Sequence, residues 1–165
     1  MAISAKDVME LRRQTDCGMM ECKKALVKAD GDINKAIEIL REEGLATAAK
    51  KAGRIAAEGI CRIAVKDEGT AAVVEVNSET DFVAKNEEFV QFVEKLADMA
   101  LTSANDDIEA FKTLPYEGEG TVADALSNKI AKIGENMNIR RFHKMASPGV
   151  VYTGYIHGGG KIGVI

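Results

Sequence analysis

The stretch whose reading decides the fold is "VNSETDFVAKNEEF", residues 76–89. Leading into it, "AAVVEVN" (71–77) is an apolar, β-branched run of the kind that forms a strand. Leading out of it, Phe89, Phe92, Val93, Leu96, Ala97 and Ala100 recur at i, i+3, i+4 and i+7. That spacing predicts an amphipathic helix from about Glu87 to Leu101, with Asn86 as its N-cap. Thr80, Asp81, Phe82 and Val83 therefore fall at a strand-to-helix junction. Such connections lie on the surface and often carry function. The chain has five Phe and no Trp, so an aromatic residue here, beside an acid, needs an explanation. Two remain open on the residues alone. Phe82 begins the helix and packs inward, or a short rigid loop presents it to a partner as an aromatic anchor.

Working outward, "GICRIAVK" (59–66) is a second strand, and "DEGT" (67–70) supplies the turn that pairs it with 71–77. Beyond the Glu87 helix, a shorter helix is expected around Asp107–Thr113, then the loop "LPYEGEGT" (114–121). Thr121 and Asp124 open a further helix with Val122, Leu126, Ile130 and Ile133 inward, and "MNIRRFHKM" (137–145) reads as a strand. The segment "GVVYTGYIHGGGKIGVI" (149–165) resembles the first hairpin, with Gly149 where Gly59 stands and a Gly-rich turn between two strand-like runs. This is a weak internal repeat. Its last apolar strand has no covering helix, so the chain is expected to be cut short of its natural end or to be a truncated form.

Upstream, residues 1–44 read as three short helices. Ser4 to Asp7 has the form of a capping box ahead of Val8 and Leu11. Gly18 interrupts the pattern, and Cys22, Ala25, Leu26 and Ala29 resume it. Asp30-Gly31-Asp32 is a turn that supplies a cap, Ile33, Ala36, Ile37 and Leu40 form the third stripe, and Gly44 is placed to stop the helix. Each helix is too short to stand alone, so the three must bury their stripes together. "LATAAKKAGRIAAE" (45–58) is a good helix former and reads as a connector. Lys50, Lys51 and Arg54 form either a solvated helix face or a basic patch; no aromatic residues interleave them.

Composition narrows the functional classes. The chain has 165 residues, 46% hydrophobic and 29% charged, with a net charge of −4. A dedicated nucleic-acid binder usually carries a basic excess. No apolar run reaches the roughly 18 residues that cross a bilayer, and the N-terminus lacks the basic and apolar regions of a secretory signal. The odd count of cysteines (Cys17, Cys22 and Cys61) reads as reduced thiols in a cytoplasmic setting. Cys17 and Cys22 lack the spacing of a metal pair, and no metal or cofactor is called for. "HGGGKIG" fails the phosphate-loop pattern, because Ile162 follows Lys161 where Ser or Thr is needed. His143 and His157 have no neighbouring carboxylate pattern in sequence. No catalytic constellation emerges, so the chain is not expected to be an enzyme.

Three stretches carry a resemblance to a known family. "TDCGMMECKKAL" (15–26), "ETDFVAKN" (79–86) and "AKIGENMNIRR" (131–141) are similar to the signatures of the bacterial elongation factor Ts family, and the order of elements extends the likeness over essentially the whole chain. The resemblance implies an α+β fold. It comprises a three-helix ubiquitin-associated-like domain (1–44), a connector helix (45–58), a first core subdomain with antiparallel strands (59–145) and the opening hairpin of a second, incomplete one (146–165). It implies guanine-nucleotide exchange on elongation factor Tu during translation, with neither nucleic acid nor membrane bound directly. Asp81 and Phe82 are implied as the wedge that enters the partner near its magnesium site. Lys23, Thr80, Val83, Ile133, Gly134, His157 and Gly158 are implied as further partner-binding residues. The alternative is a module that docks elongation factor Tu without efficient exchange because the chain is truncated.

Overall fold

The computed structural model describes residues 3–15, 17–66, 69–104, 106–118 and 120–165. In chain order its elements are α1 (Ala5–Thr15), α2 (Met19–Lys28), α3 (Ile33–Lys51), β1 (Glu58–Lys66), β2 (Thr70–Ser78), α4 (Asp81–Ala84) and α5 (Glu87–Ala100). There follow α6 (Ile108–Lys112), β3 (Pro115–Tyr116), β4 (Gly120–Thr121), α7 (Val122–Ile133), β5 (Met137–Ala146), β6 (Tyr155–His157) and β7 (Ile162–Val164). The class is α+β, and among the described residues the strand pairs are antiparallel. Two compact units are formed: residues 1–53 with 113–134, and residues 54–112 with 135–165. The segment 113–134, placed by sequence within 59–145, thus clusters with the N-terminal helices.

In the first unit, the expected stripes meet. Val8, Leu11, Cys22, Ala25, Leu26, Ala29, Ala36 and Leu40 form one buried cluster, with Ile33 and Ile37 packed against it. The Ser4–Asp7 capping box forms, the Ser4 hydroxyl donating to Asp7 at 2.7 Å and accepting from its N–H at 3.2 Å. Asp32 caps α3 by accepting from Lys35 N–H at 3.1 Å. Gly44 does not stop this helix. It is buried mid-helix, where α3 packs against α7, and an added Cβ would stand 3.1 Å from Asn128 Oδ1. Its value is thinness, not helix breaking. The expected connector over 45–58 is accordingly the tail of α3 as far as Lys51, and residues 52–57 are not helical. On α7 the Thr121–Asp124 capping box forms as expected, but Leu126 and Ile133 are half-buried rather than inward.

In the second unit, β1, β2 and β5 make a three-stranded sheet in that order. α5 lies against all three strands, and the six apolar residues of its stripe are buried together with Ile60, Val74, Val76 and Ile139. A fully buried Phe such as Phe89 contributes about 1.5–3 kcal/mol relative to exposure. α6 packs on β5 through Phe111 and Phe142, ring centroids 4.5 Å apart. The register shifts between Glu75 and Val76, so that Arg140 bulges out of the β2–β5 ladder. That bulge turns two consecutive arginines toward one acid, Arg141 at 2.7 Å and Arg140 at 3.5 Å from Glu75. The second hairpin, β6–β7, meets the edge of β1, whose Cys61 N–H donates to Gly160 O at 2.7 Å. The "DEGT" turn includes Asp67 and Glu68, which lie outside the described residues; so does Glu119 of the 114–121 loop and Asp16 of the 15–26 stretch.

Gly59, the second residue of β1, has a φ of +134°, and a Cβ there would fall 2.2 Å from the carbonyl oxygen of Val76. Gly59→Ala therefore combines backbone strain with a clash against the neighbouring strand. It is expected to cost roughly 2–5 kcal/mol, read as a fall in the urea midpoint with an unchanged slope. An unchanged midpoint would show that the strand start can be rebuilt without glycine.

Candidate functional site

The junction after β2 is built from two helix starts in succession. Thr80 is extended (φ −123°, ψ 156°), and its hydroxyl accepts the Val83 N–H at 3.4 Å, which opens α4. Asn86 N–H closes that turn on Val83 O at 2.9 Å. The Asn86 side chain then opens α5, accepting from Glu88 N–H at 2.9 Å and Phe89 N–H at 3.2 Å. The segment expected as a loop is thus one helical turn, Asp81–Ala84, held between two caps.

One turn must divide its residues between two faces. Val83 and Ala84 point inward and are 8% and 3% exposed. Phe82 is left facing solvent at 82% exposure, whereas Phe89, Phe92, Phe111 and Phe142 are all buried. Beside it, Asp81 pairs with Lys85 at 2.6 Å in the favourable i, i+4 direction. The Lys85 hydrogen bond and charge hold the Asp81 carboxyl below the ordinary aspartate range, and Asp81 in turn raises the Lys85 ammonium. Lys85 is exposed and Asp81 half-exposed, so solvent screens the pair and it contributes little to stability. The charge of Lys161, at the end of the Gly-rich turn, also acts on Asp81, and that of its ion-pair partner Glu58 acts on Lys85. The 158–161 turn is therefore within electrostatic reach of α4.

The turn is also tied from outside. Glu135 accepts the Thr80 N–H at 3.0 Å and the Thr80 hydroxyl at 2.6 Å. Glu79 accepts the Asn136 N–H at 2.6 Å and lies 3.5 Å from Arg54. Asn136 Nδ2 donates to Arg54 O at 2.7 Å. Neither acid is marked as a tether by the residues around it in sequence. Their only signal was the recurrence of Glu followed by a small polar residue in the two motifs, "ET" and "EN".

The remaining expected residues are placed as follows. His157 ends β6 with an exposed ring and Nδ1 3.0 Å from Tyr155 Oη, and Gly158 starts the turn at a φ of +58°. These, with Thr80 to Val83, belong to the second unit. Lys23 is exposed on α2, beside Met19 and Met20, which are 54% and 62% exposed. Ile133 ends α7 half-buried, and Gly134 caps it in the left-handed region, φ +88°. The Gly134 carbonyl accepts from Lys51 Nζ at 2.7 Å. Those three belong to the first unit. The carboxylate that sequence did not find for His143 is that of Asp106, which meets the ring at Nδ1. Among the described residues, no group of three or more His, Cys, Asp or Glu gathers as a metal site. No helix there is long and apolar enough to cross a membrane.

Comparison with known proteins gives a consistent set of matches. The family model described as Elongation factor TS matches residues 79–165. The chain is 51% identical over 164 residues to Elongation factor Ts of Clostridium botulinum and 53% identical over 164 residues to that of Clostridioides difficile. Each match covers 99% of this chain and 54% of the relative. Elongation factor Ts of Clostridium perfringens is 51% identical, with the same coverage. The chain spans about half the length of the curated relatives it matches.

Two outcomes follow from this geometry. Phe82→Ala should shift stability by under about 1 kcal/mol, whereas Phe89→Ala, in the core, should cost about 3–5 kcal/mol; chemical denaturation compares them directly. A carboxyl with a depressed pKa keeps its ion pair above the unfolded pKa and loses it as pH falls through the folded one. Lys85→Ala should therefore raise the titration midpoint of Asp81 toward the ordinary aspartate range. Carboxyl carbon shifts in NMR follow it, and an unmoved midpoint would assign the depression to another group.

Proposed function

We propose a function for this chain from one premise: it belongs to the elongation factor Ts family. It acts in translation elongation as a guanine-nucleotide exchange factor. It binds elongation factor Tu in its GDP form, in the cytoplasm, and promotes GDP release. The observation that carries this reading is Phe82, an aromatic ring 82% exposed on a capped helical turn beside an acid.

The mechanism is displacement and requires no chemistry by this chain. Magnesium at a nucleotide demands near-ideal octahedral geometry and tolerates little movement of its ligands. Phe82 enters as a wedge and shifts the elements that carry those ligands, while Asp81 brings a negative charge toward the site. Thr80 and Val83 set the wedge on its turn. Lys23, on an exposed helix face, and Ile133, Gly134, His157 and Gly158 add contacts that hold the wedge against bound nucleotide. The three N-terminal helices form a ubiquitin-associated-like docking domain. Factor and nucleotide are then negatively coupled, and the coupling is reciprocal: GDP weakens the factor's binding as much as the factor weakens GDP's.

A second reading is a module that docks elongation factor Tu without efficient exchange. The exposed α2 face of Met19, Met20 and Lys23 favours it, since docking there needs no wedge. Release of labelled GDP from purified elongation factor Tu separates the two. Under the exchange reading this chain accelerates release, and Phe82→Ala removes about 2 kcal/mol or more of that effect, as for an interface hot spot. Binding with an unaltered release rate would favour docking alone. A Phe82→Ala variant as active as the parent would overturn the wedge.

A further inference from the structure

Thr80 is a weak cap by itself. Its hydroxyl accepts the Val83 N–H at 3.4 Å, beyond the usual range for such a bond. A single helical turn is likewise far below the length at which a helix sustains itself. Yet the direction of Phe82 depends on that turn. The buried Ser78 hydroxyl donates to Thr80 O at 3.1 Å, and the further hold on Thr80, beyond the inward contacts of Val83 and Ala84, comes from the 135–136 segment, distant in sequence. Glu135 takes both the N–H and the hydroxyl proton of Thr80, at 3.0 and 2.6 Å. A hydroxyl has one proton and two acceptor sites. Donating that proton to Glu135 leaves an oxygen lone pair turned to the Val83 N–H. Glu79 answers in the other direction, accepting the Asn136 N–H at 2.6 Å. Segments 79–80 and 135–136 therefore clasp each other reciprocally, each acid holding the backbone next to the other. Charged acceptors make the stronger hydrogen bonds, and such bonds are directional.

The geometry points to Glu135 as a positioning residue for Phe82: it holds Thr80, Thr80 sets α4, and α4 sets the direction of the ring. This rests on the exchange function proposed above. It gives the acid of "GEN" a part in presenting the wedge from within the chain, without touching the partner.

The chain has no Trp, so Phe82→Trp introduces a single indole at the wedge. In that background, Glu135→Ala should lower the indole's fluorescence anisotropy and raise its quenching by iodide, with the circular dichroism spectrum preserved. Glu135→Gln keeps one acceptor oxygen and should restore part of the anisotropy. With Phe82 native, Glu135→Ala should reduce the acceleration of GDP release about tenfold, equivalent to about 1.4 kcal/mol. That loss should vanish when Phe82→Ala is already present, because a residue acting through another is not additive with it. Two results would overturn the proposal: an indole unmoved by Glu135→Ala and Glu135→Gln, or losses from Glu135→Ala and Phe82→Ala that simply add. If Phe82→Ala accelerates GDP release as fully as the parent chain, the wedge fails and takes the functional role of Glu135 with it. The indole measurements still decide, separately, whether the clasp orients the turn.

Discussion

Two caps, Thr80 and Asn86, stand close together in the chain, and the presentation of Phe82 depends on both. The first opens a single turn and the second opens a long amphipathic helix. α5 is anchored by six buried side chains on the sheet, so Asn86 is held in place by the core. β2 is held by ladders on both sides, so Ser78 is fixed as well. The few residues between must bridge two rigid ends. With Val83 and Ala84 committed inward, helical geometry gives Phe82 no course but outward. Its exposure therefore comes from the framework rather than from a mobile loop, and a rigid anchor has less conformational entropy to lose on binding.

The electrostatics of this surface are balanced rather than strong. Asp81 is paired with Lys85, Glu58 with Lys161, and each pair lies within reach of the other. Exposed pairs of this kind contribute little to folding. Under the proposed function their role would lie in exchange of partners: an acid already matched by Lys85 could be re-paired on a second surface without being stripped of a counterion. The same logic separates Glu135 from Asp81. Glu135 is spent inside the chain, on Thr80, and Asp81 faces out.

How much of this was legible beforehand follows the range of each interaction. The α5 stripe, the strands around it, the Thr121–Asp124 capping box and the Asn86 cap are local patterns, and each stands where the periodicity put it. The outward course of Phe82 was one of two open readings, because a junction residue belongs to no period. α4 itself went unseen, since four residues are too few to show a helical repeat. Gly44 misled because a glycine near a helix end signals a stop, while here it makes room for α7, a contact that sequence does not announce. Glu135 on Thr80, Asp106 on His143 and the grouping of 113–134 with the N-terminal helices are long-range pairings, and a single sequence carries no signal for them.

Energetics set a bound on what the wedge can do alone. Leaving a Phe exposed forgoes about 1.5–3 kcal/mol of burial in the free chain. A partner that buries the ring recovers a comparable amount, and a strong aromatic hot spot reaches about 2–4 kcal/mol. Under the proposed function, at about 1.4 kcal/mol per factor of ten, one ring would account for roughly one and a half to three decades of nucleotide weakening. By reciprocity, the bound nucleotide would then exact the same factor from the chain's own affinity. A larger acceleration needs binding energy from surfaces that touch the partner whether or not nucleotide is present, since only those contacts escape that penalty. Under the proposed function, Lys23 on α2 and the ends of α7 and β6 would serve this purpose. They have to supply uniform affinity, while Phe82 and Asp81 supply the difference between nucleotide-bound and nucleotide-free states. Removing an outlying contact would then weaken docking to both states alike, and removing the ring would abolish the discrimination between them.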